Sequence, residues 1–171
     1  MRRLWAGETV NHDRFWGLNN ARIAPLPSQD IEVWIGATAP AAINRTARLA
    51  EGWLGTPSST PQQAKEQLNQ YRQACAEHQR KPSAVALRRD IFIGDSVRQA
   101  EEFRCHAVAK GYRGFPEDAL ICGDISQVAT QFAELFEAGF TDIIVRNMAS
   151  DQGQALGTIE ALSDVKRQLR L

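Results

Sequence analysis

Four short apolar segments alternate with longer amphipathic segments along the chain, and this order restricts the possible folds most strongly. The apolar segments are rich in β-branched and aromatic residues and predict strands at residues 31–36, 52–55, 85–93 and 142–146. Strands that alternate with helices pair in parallel through right-handed helical crossovers. Four such units predict an α/β fold, either a small open sheet or half of an eight-stranded barrel.

Helix start signals support this alternation. Thr60 and Ser96 each open a capping box, with glutamine three residues later. Pro40 suits the first turn of a helix, where its missing N–H has no partner to lose. Asp124 predicts the N-cap of another helix, and Gly139 is suited to end it in the left-handed conformation.

The length of 171 residues suits one domain, and we expect residues 1–171 to form a single domain. Residues 1–30 are interrupted by asparagine, glycine and proline, so they predict an irregular N-terminal segment. Residues 110–123 contain three glycines and a proline, and they predict a loop.

Composition excludes several classes of partner. Lysine plus arginine and aspartate plus glutamate both number 20, so no basic excess exists to bind nucleic acid or an anionic membrane. The apolar runs fall far below the ~20 residues of a membrane span, and the first residues lack the apolar core of a secretory signal. We therefore expect a small-molecule substrate and neither a nucleic-acid nor a membrane partner.

The three cysteines, Cys75, Cys105 and Cys122, are odd in number and share no C-x-x-C spacing. This usage favours reduced thiols and predicts a cytoplasmic protein. The sequence has no metal-ligand spacing and no nucleophile motif, so it predicts no metal site and assigns no catalytic residue.

Five motifs at the strand ends carry a resemblance. Residues 33–40 (VWIGATAP) and 47–54 (ARLAEGWL) are similar to the flavin-binding stretch of the bacterial-luciferase-like monooxygenases. Residues 89–96 (RDIFIGDS), 122–128 (CGDISQV) and 137–146 (EAGFTDIIVR) resemble later motifs of that family in the same order. The match runs through nearly the whole chain.

Members of this family are commonly complete (β/α)8 barrels, and the chain resembles only the C-terminal half. The resemblance therefore implies a half-barrel with four parallel strands. It also implies a flavin-dependent monooxygenase or other oxidoreductase that binds reduced FMN or a deazaflavin. Both oxygen activation and hydride transfer stay open, because the flavin supplies that chemistry while the protein orients it.

The turn Gly36-Ala37-Thr38-Ala39 is the first candidate cofactor site. A glycine at a strand end allows close approach of a phosphate, and the following helix N-terminus offers free N–H groups. Ala37 stands where the family has a second glycine. The alternative interpretation is a tight strand-to-helix turn that merely uses small residues.

Gly52 and Trp53 form the second candidate, because the resemblance implies that their backbone lies beside the flavin phosphate. A tryptophan at this position is otherwise a packing residue. Arg146 ends the last predicted strand, where it could face a phosphate, a carboxylate or solvent. For Arg88 and Arg89 we expect an ion pair at the opposite rim.

Four strands of a barrel leave two unpaired edges and one uncovered face. We therefore expect a homodimer, or association with a complementing half-barrel chain. Because the chain resembles only half of the barrel, an alternative function stays open: a non-catalytic flavin-binding or partner-binding subunit, or a truncated and inactive fragment.

Overall fold

The computed structural model describes residues 1–169, in two compact units. The first unit, Met1–Glu32, contains the short helix α1 (Arg2–Trp5) and an antiparallel hairpin of β1 (Val10–His12) and β2 (Leu18–Ala21). The segment predicted to be irregular thus includes a short helix and a hairpin. The Asn20 N–H donates to Asn11 Oδ1 at 2.7 Å, so a polar side chain that looked like an interruption helps to hold the hairpin.

The second unit begins at Val33 and contains a parallel sheet. Its strands are β3 (Trp34–Gly36), β4 (Gly52–Gly55), β5 (Ala84–Ile93), β6 (Leu120–Gly123) and β7 (Asp142–Asn147). All pairings among them are parallel. The four predicted strands and the α/β class are thus confirmed.

Five helices connect or follow these strands: α2 (Pro40–Leu49), α3 (Pro61–Glu77), α4 (Val97–Ala109), α5 (Ile125–Ala138) and α6 (Gln152–Gln168). Thr60 and Asp124 each cap a helix with a complete capping box. The box at Ser96 is incomplete: its side chain accepts from the Gln99 N–H, while the Gln99 side chain caps the N–H of Asp95 instead.

Strand β6 corrects the prediction of a loop over residues 110–123. The irregular part is residues 110–119, which contain two 3₁₀ turns, Tyr112–Gly114 and Glu117–Ala119. The four residues of β6 are all buried, and they pair with Asp90–Ile93 of β5. A four-residue apolar run is too short to predict alone, but pairing with an already formed strand satisfies its backbone groups.

The register shows how β5 organises the sheet. Ala86 and Leu87 pair with both β4 and β7, whereas Asp90 and Ile91 pair with both β6 and β7. Because a strand has two edges, β4 and β6 must lie on the same edge of β5, along its first and second halves. Strand β7 occupies the other edge.

The two faces of the sheet are covered differently. On one face, α2, α3, α5 and α6 pack a continuous core around Trp53, Leu87 and Val128. The opposite face, which carries Ala86, Arg88, Asp90 and Phe92 of β5, is covered by α4 only near the end of the strand. We call it the α4 face. Among the described helices, none is long and apolar enough to cross a membrane.

Candidate functional site

The carboxyl ends of β3 and β4 lie side by side, and a helix begins after each. The turn after Gly36 leads into α2, and the loop of residues 56–60 leads into α3. A polar cleft of about 260 Å³ lies between these two segments and the first half of α3. The cleft is lined by Thr38, Thr56, Ser58 and Ser59, among others.

Backbone donors are free in the turn after Gly36. Ala39 is the N-cap of α2 and gives no side-chain cap, while the N–H groups of Ala42 and Ile43 both donate to its carbonyl. Within residues 1–169, the N–H groups of Thr38, Ala39 and Ala41 make no hydrogen bond. Unpaired N–H groups at a helix start attract an anion.

Space for a ligand is present above Gly36. A Cβ built on this glycine would meet only the Leu54 carbonyl oxygen, at 3.8 Å, and the residue is exposed. Packing within this chain therefore does not require glycine at position 36. The methyl group of Ala37 is buried in the core and points away from this space.

The structure puts Gly52 and Trp53 in other surroundings. Gly52 is at the beginning of β4, beneath Trp34: a Cβ at position 52 would be 2.8 Å from Trp34 Cδ1. Trp53 is completely buried between Tyr71 and Phe140, with ring centroids at 5.4 and 6.3 Å. Trp53 reaches the turn from below, where its Nε1–H donates to the Ala37 carbonyl at 2.9 Å.

Sequence reasoning missed the hydroxyl groups opposite this turn. Thr56 Oγ1 lies 3.0 Å from Ser58 Oγ, and Ser59 Oγ donates to Gln67 Oε1 at 3.3 Å. The signal was present in the hydroxyl-rich segment Thr56-Pro57-Ser58-Ser59, directly after a predicted strand.

A second group of polar side chains lies on the α4 face. Asp90 is fully buried, and three guanidinium groups converge on its carboxylate: Arg88 at 3.1 Å, Arg113 at 3.4 Å and Arg146 at 3.6 Å. We call these four residues the Asp90 cluster. Arg146 thus faces a carboxylate of its own chain. The expected ion pair at the opposite rim was misplaced, because Arg88 binds Asp90 in the second half of β5.

Two buried groups accompany this cluster. Within the part of the chain that the structure describes, Arg89 Nη2 and Tyr112 Oη have no hydrogen-bond partner. Burial lowers the pKa of Arg89 to about 10, although Tyr112, Asp118 and Asp90 act in the opposite direction. Burial, followed by the charge of Asp90, raises the pKa of Tyr112 to about 12.

A larger cleft of about 680 Å³ lies at the end of β5, between the beginning of α5 and the side of α6. Two of its three acidic side chains already have structural partners. Asp124 caps α5 through the Gln127 N–H, and Asp164 pairs with Arg167. None of the residues predicted from sequence as cofactor contacts lines it.

The family model of the luciferase-like monooxygenases matches residues 1–117. The chain belongs to this family. The resemblance drawn from the strand ends is therefore confirmed. An F420-dependent glucose-6-phosphate dehydrogenase of Microbacterium testaceum is 36% identical over 66 residues, which are 38% of this chain and 20% of that protein.

Solved structures share the fold of this chain. An F420-dependent secondary alcohol dehydrogenase, in complex with an F420-acetone adduct, aligns with a TM-score of 0.74 at 15% identity. The alignment covers 99% of this chain and 59% of that one. The monooxygenase RslO1 from Streptomyces bottropensis gives 0.73 at 18% identity, covering 99% and 58%.

A third structure, the oxygenating constituent of 3,6-diketocamphane monooxygenase from Pseudomonas putida in complex with FMN, gives 0.66 at 15% identity. That alignment covers 94% of this chain and 58% of the other. The chain thus spans less than three fifths of these three structures. The structural similarity supports the barrel-type fold, and at this low sequence identity it supports nothing finer.

Proposed function

We propose that this chain belongs to a flavin- or deazaflavin-dependent oxidoreductase, and that the turn Gly36-Ala37-Thr38-Ala39 binds the phosphate of the cofactor. The observation that carries this proposal is the set of three unpaired N–H groups beside the open space over Gly36. Such a turn suits a dianion, because the helix dipole and the free donors act together. Relatives that use F420 and FMN support the same cofactor class.

The chain's own residues would bind and orient the cofactor. The Thr38 hydroxyl can add a donor to the backbone N–H groups, and the hydroxyls of Thr56 and Ser58 lie across the cleft. Trp53 and Gly52 would hold the turn and its neighbouring strand without touching the ligand. When bound, the flavin supplies the redox chemistry.

The direct test compares cofactor binding by two glycine variants. Gly36→Glu puts a carboxylate in the open space and should abolish binding of reduced FMN or of a deazaflavin, with an unchanged circular dichroism spectrum. Gly157→Glu on α6 adds the same charge at a position where a Cβ would point into open space, and it should bind like the wild type. Equal cofactor affinity in wild type and Gly36→Glu would remove this turn from consideration.

One observation favours a second candidate, a non-catalytic flavin-binding or partner-binding subunit. The chain spans only 58–59% of the two most extensively aligned structures described above, so part of a complete pocket lies outside it. Steady oxidation of reduced flavin above the background rate, with the isolated chain, would favour the enzyme. Cofactor binding without turnover would favour the subunit.

We further propose that the chain associates with a second copy, with a complementing half-barrel chain as the alternative outcome. The α4 face leaves Trp34 37% and Ile144 39% exposed, although both are strand residues. Among the described strands, β3 pairs only with β4 and β7 only with β5, so each keeps an open edge. Three unpaired cysteines favour a reducing, cytoplasmic location.

A further inference from the structure

The Asp90 cluster is built by the register of the sheet. Asp90 and Arg146 are paired residues on neighbouring strands, so their side chains point to the same face. Arg88 precedes Asp90 by two residues on β5 and therefore shares that face. Arg113 comes from the 3₁₀ turn after α4.

Donors greatly outnumber acceptors in this cluster. Each guanidinium has five N–H donors, whereas a carboxylate offers about four lone-pair sites. Within residues 1–169, Asp90 is the only carboxylate that pairs with Arg88, Arg113 or Arg146. Three positive charges and one negative charge leave the cluster with a net charge of +2. Arg113 and Arg146 keep nearly half of their side-chain surface exposed.

Arg113 is held in place at a conformational cost. Tyr112 and Arg113 have φ angles of 31° and 56°, a region that residues other than glycine rarely adopt. The Arg113 guanidinium also lies over the Phe115 ring, 4.7 Å from its centroid, which restricts its rotation. Strained backbone of this kind concentrates at functional sites.

The unpaired atoms of Tyr112 and Arg89 are a second, independent observation. Both side chains are almost completely buried, and Tyr112 lies within the electrostatic range of Asp90, Arg113 and Arg146. A buried polar atom without a partner costs about 1–3 kcal/mol. Such groups are rare in folded proteins unless a ligand, water or ion completes them.

We propose that Arg88, Arg113 and Arg146 bind an oxyanion, the carboxylate or phosphate group of a small-molecule ligand, on the α4 face. Guanidinium groups bind both oxyanions through paired N–H···O bonds. Asp90 acts as a positioning residue that gathers the three side chains. The unpaired Tyr112 hydroxyl, within the electrostatic range of this cluster, is a further donor.

This site is separate from the turn at Gly36. In the sheet, Gly36 and Asp90 are separated by two strand spacings and four residues, which corresponds to about 16 Å. A free anion can therefore occupy one site without the other. The inference does not depend on the proposed cofactor site, and each site has its own variants.

Isothermal titration calorimetry of the 171-residue chain tests the site with three sodium salts at equal ionic strength: phosphate, glutarate and chloride. Wild type should bind phosphate or glutarate, and the stronger of the two identifies the ligand's anionic group. Chloride serves as the control for screening by salt. No binding of either oxyanion would overturn the proposal, and an acidic surface of another chain would then explain the arginines better.

Arginine variants locate the binding. Arg146→Gln and Arg113→Gln should each weaken binding by about ten- to hundredfold, since each loses charge-assisted hydrogen bonds. Arg146→Lys, which keeps the charge but not the fork, should fall between Arg146→Gln and wild type. Arg98→Gln, at an exposed arginine of α4, should bind like wild type.

The last comparison separates the two sites. Gly36→Glu should keep the affinity for the oxyanion at the Asp90 cluster while losing the cofactor. The reverse pattern, with oxyanion binding lost in Gly36→Glu and kept in Arg146→Gln, would overturn the proposal and assign the anion to the turn.

Discussion

The indole Nε1–H of Trp53 donates a hydrogen bond of 2.9 Å to the carbonyl oxygen of Ala37. This bond fixes a peptide plane. The Ala37 carbonyl and the Thr38 N–H belong to the same trans peptide and point in opposite directions. Because the carbonyl points into the core, the Thr38 N–H points away from it. A completely buried side chain thus sets the direction of a donor at the candidate phosphate turn.

We predict that Trp53→Phe weakens cofactor binding although Trp53 has no exposed surface. The variant leaves the buried Ala37 carbonyl without its donor, which should lower the free energy of unfolding by about 1–3 kcal/mol. Urea denaturation measures the loss, and fluorescence titration with FMN or a deazaflavin measures the affinity. Trp16→Phe, at an exposed tryptophan, is the matched control. Unchanged affinity in a destabilised Trp53→Phe protein would contradict the orienting role.

The two candidate glycines should respond oppositely to a methyl group. In Gly52→Ala the new Cβ lies 2.8 Å from the Trp34 ring, and the indole must shift, so we expect destabilisation by about 1–3 kcal/mol. In Gly36→Ala the Cβ meets only the Leu54 carbonyl oxygen at 3.8 Å, and stability should hardly change. The urea denaturation midpoints of the two variants measure this difference in stability. Equal midpoints would contradict the expected clash between a methyl group at position 52 and the Trp34 ring.

Local signals predicted the elements of the second unit well, because each signal has a local cause. Four apolar runs became four parallel strands, and Thr60 and Asp124 cap their helices through bonds that span only three residues. Strand β6 escaped prediction because its four residues become a strand only by pairing with β5, some 30 residues earlier. Sequence pattern in its own neighbourhood indicated a loop.

The two candidate sites also differ in whether a local sequence signal indicates them. The turn at Gly36 was predictable, since a strand end, glycine and proline follow one another in sequence. The Asp90 cluster was not, because Asp90, Arg113 and Arg146 come from three separate segments and meet only through sheet register and a strained turn. The resemblance implied a ligand contact at Gly52. The sequence around Gly52 does not show that Trp34 covers it.

Cys122 should make stability depend on alkaline pH. Burial raises the pKa of this thiol to about 11, from a usual value of 9.0, and its Sγ donates to the Ala100 carbonyl at 3.1 Å. The folded state therefore keeps the proton while the unfolded state loses it. The stabilising contribution is complete below pH 9 and should be lost as the pH rises from about 9 to 11, with a slope of at most about 1.4 kcal/mol per pH unit.

The measurement is urea denaturation of wild type and Cys122→Ala at several pH values from 8 to 11.5. Other groups also titrate in this range, so the difference between the two proteins isolates Cys122. The stability difference should shrink as the pH rises. A difference that stays constant over the whole range would contradict the prediction.

Ile144 offers the sharpest test of self-association. It lies on the α4 face of β7 and pairs with Arg88 of β5, yet it stays 39% exposed. Burying such a side chain against a second chain would contribute about 1.5–3 kcal/mol. We therefore expect wild type to sediment as a species heavier than the 19.0 kDa chain at micromolar concentration, and Ile144→Gln to shift it toward the monomer.

Ile159→Gln, at a more exposed isoleucine on α6, removes the same apolar group from a helix surface and should leave the mass unchanged. A wild-type protein that sediments at 19.0 kDa, or equal dissociation by both variants, would show that the α4 face is not where two copies meet.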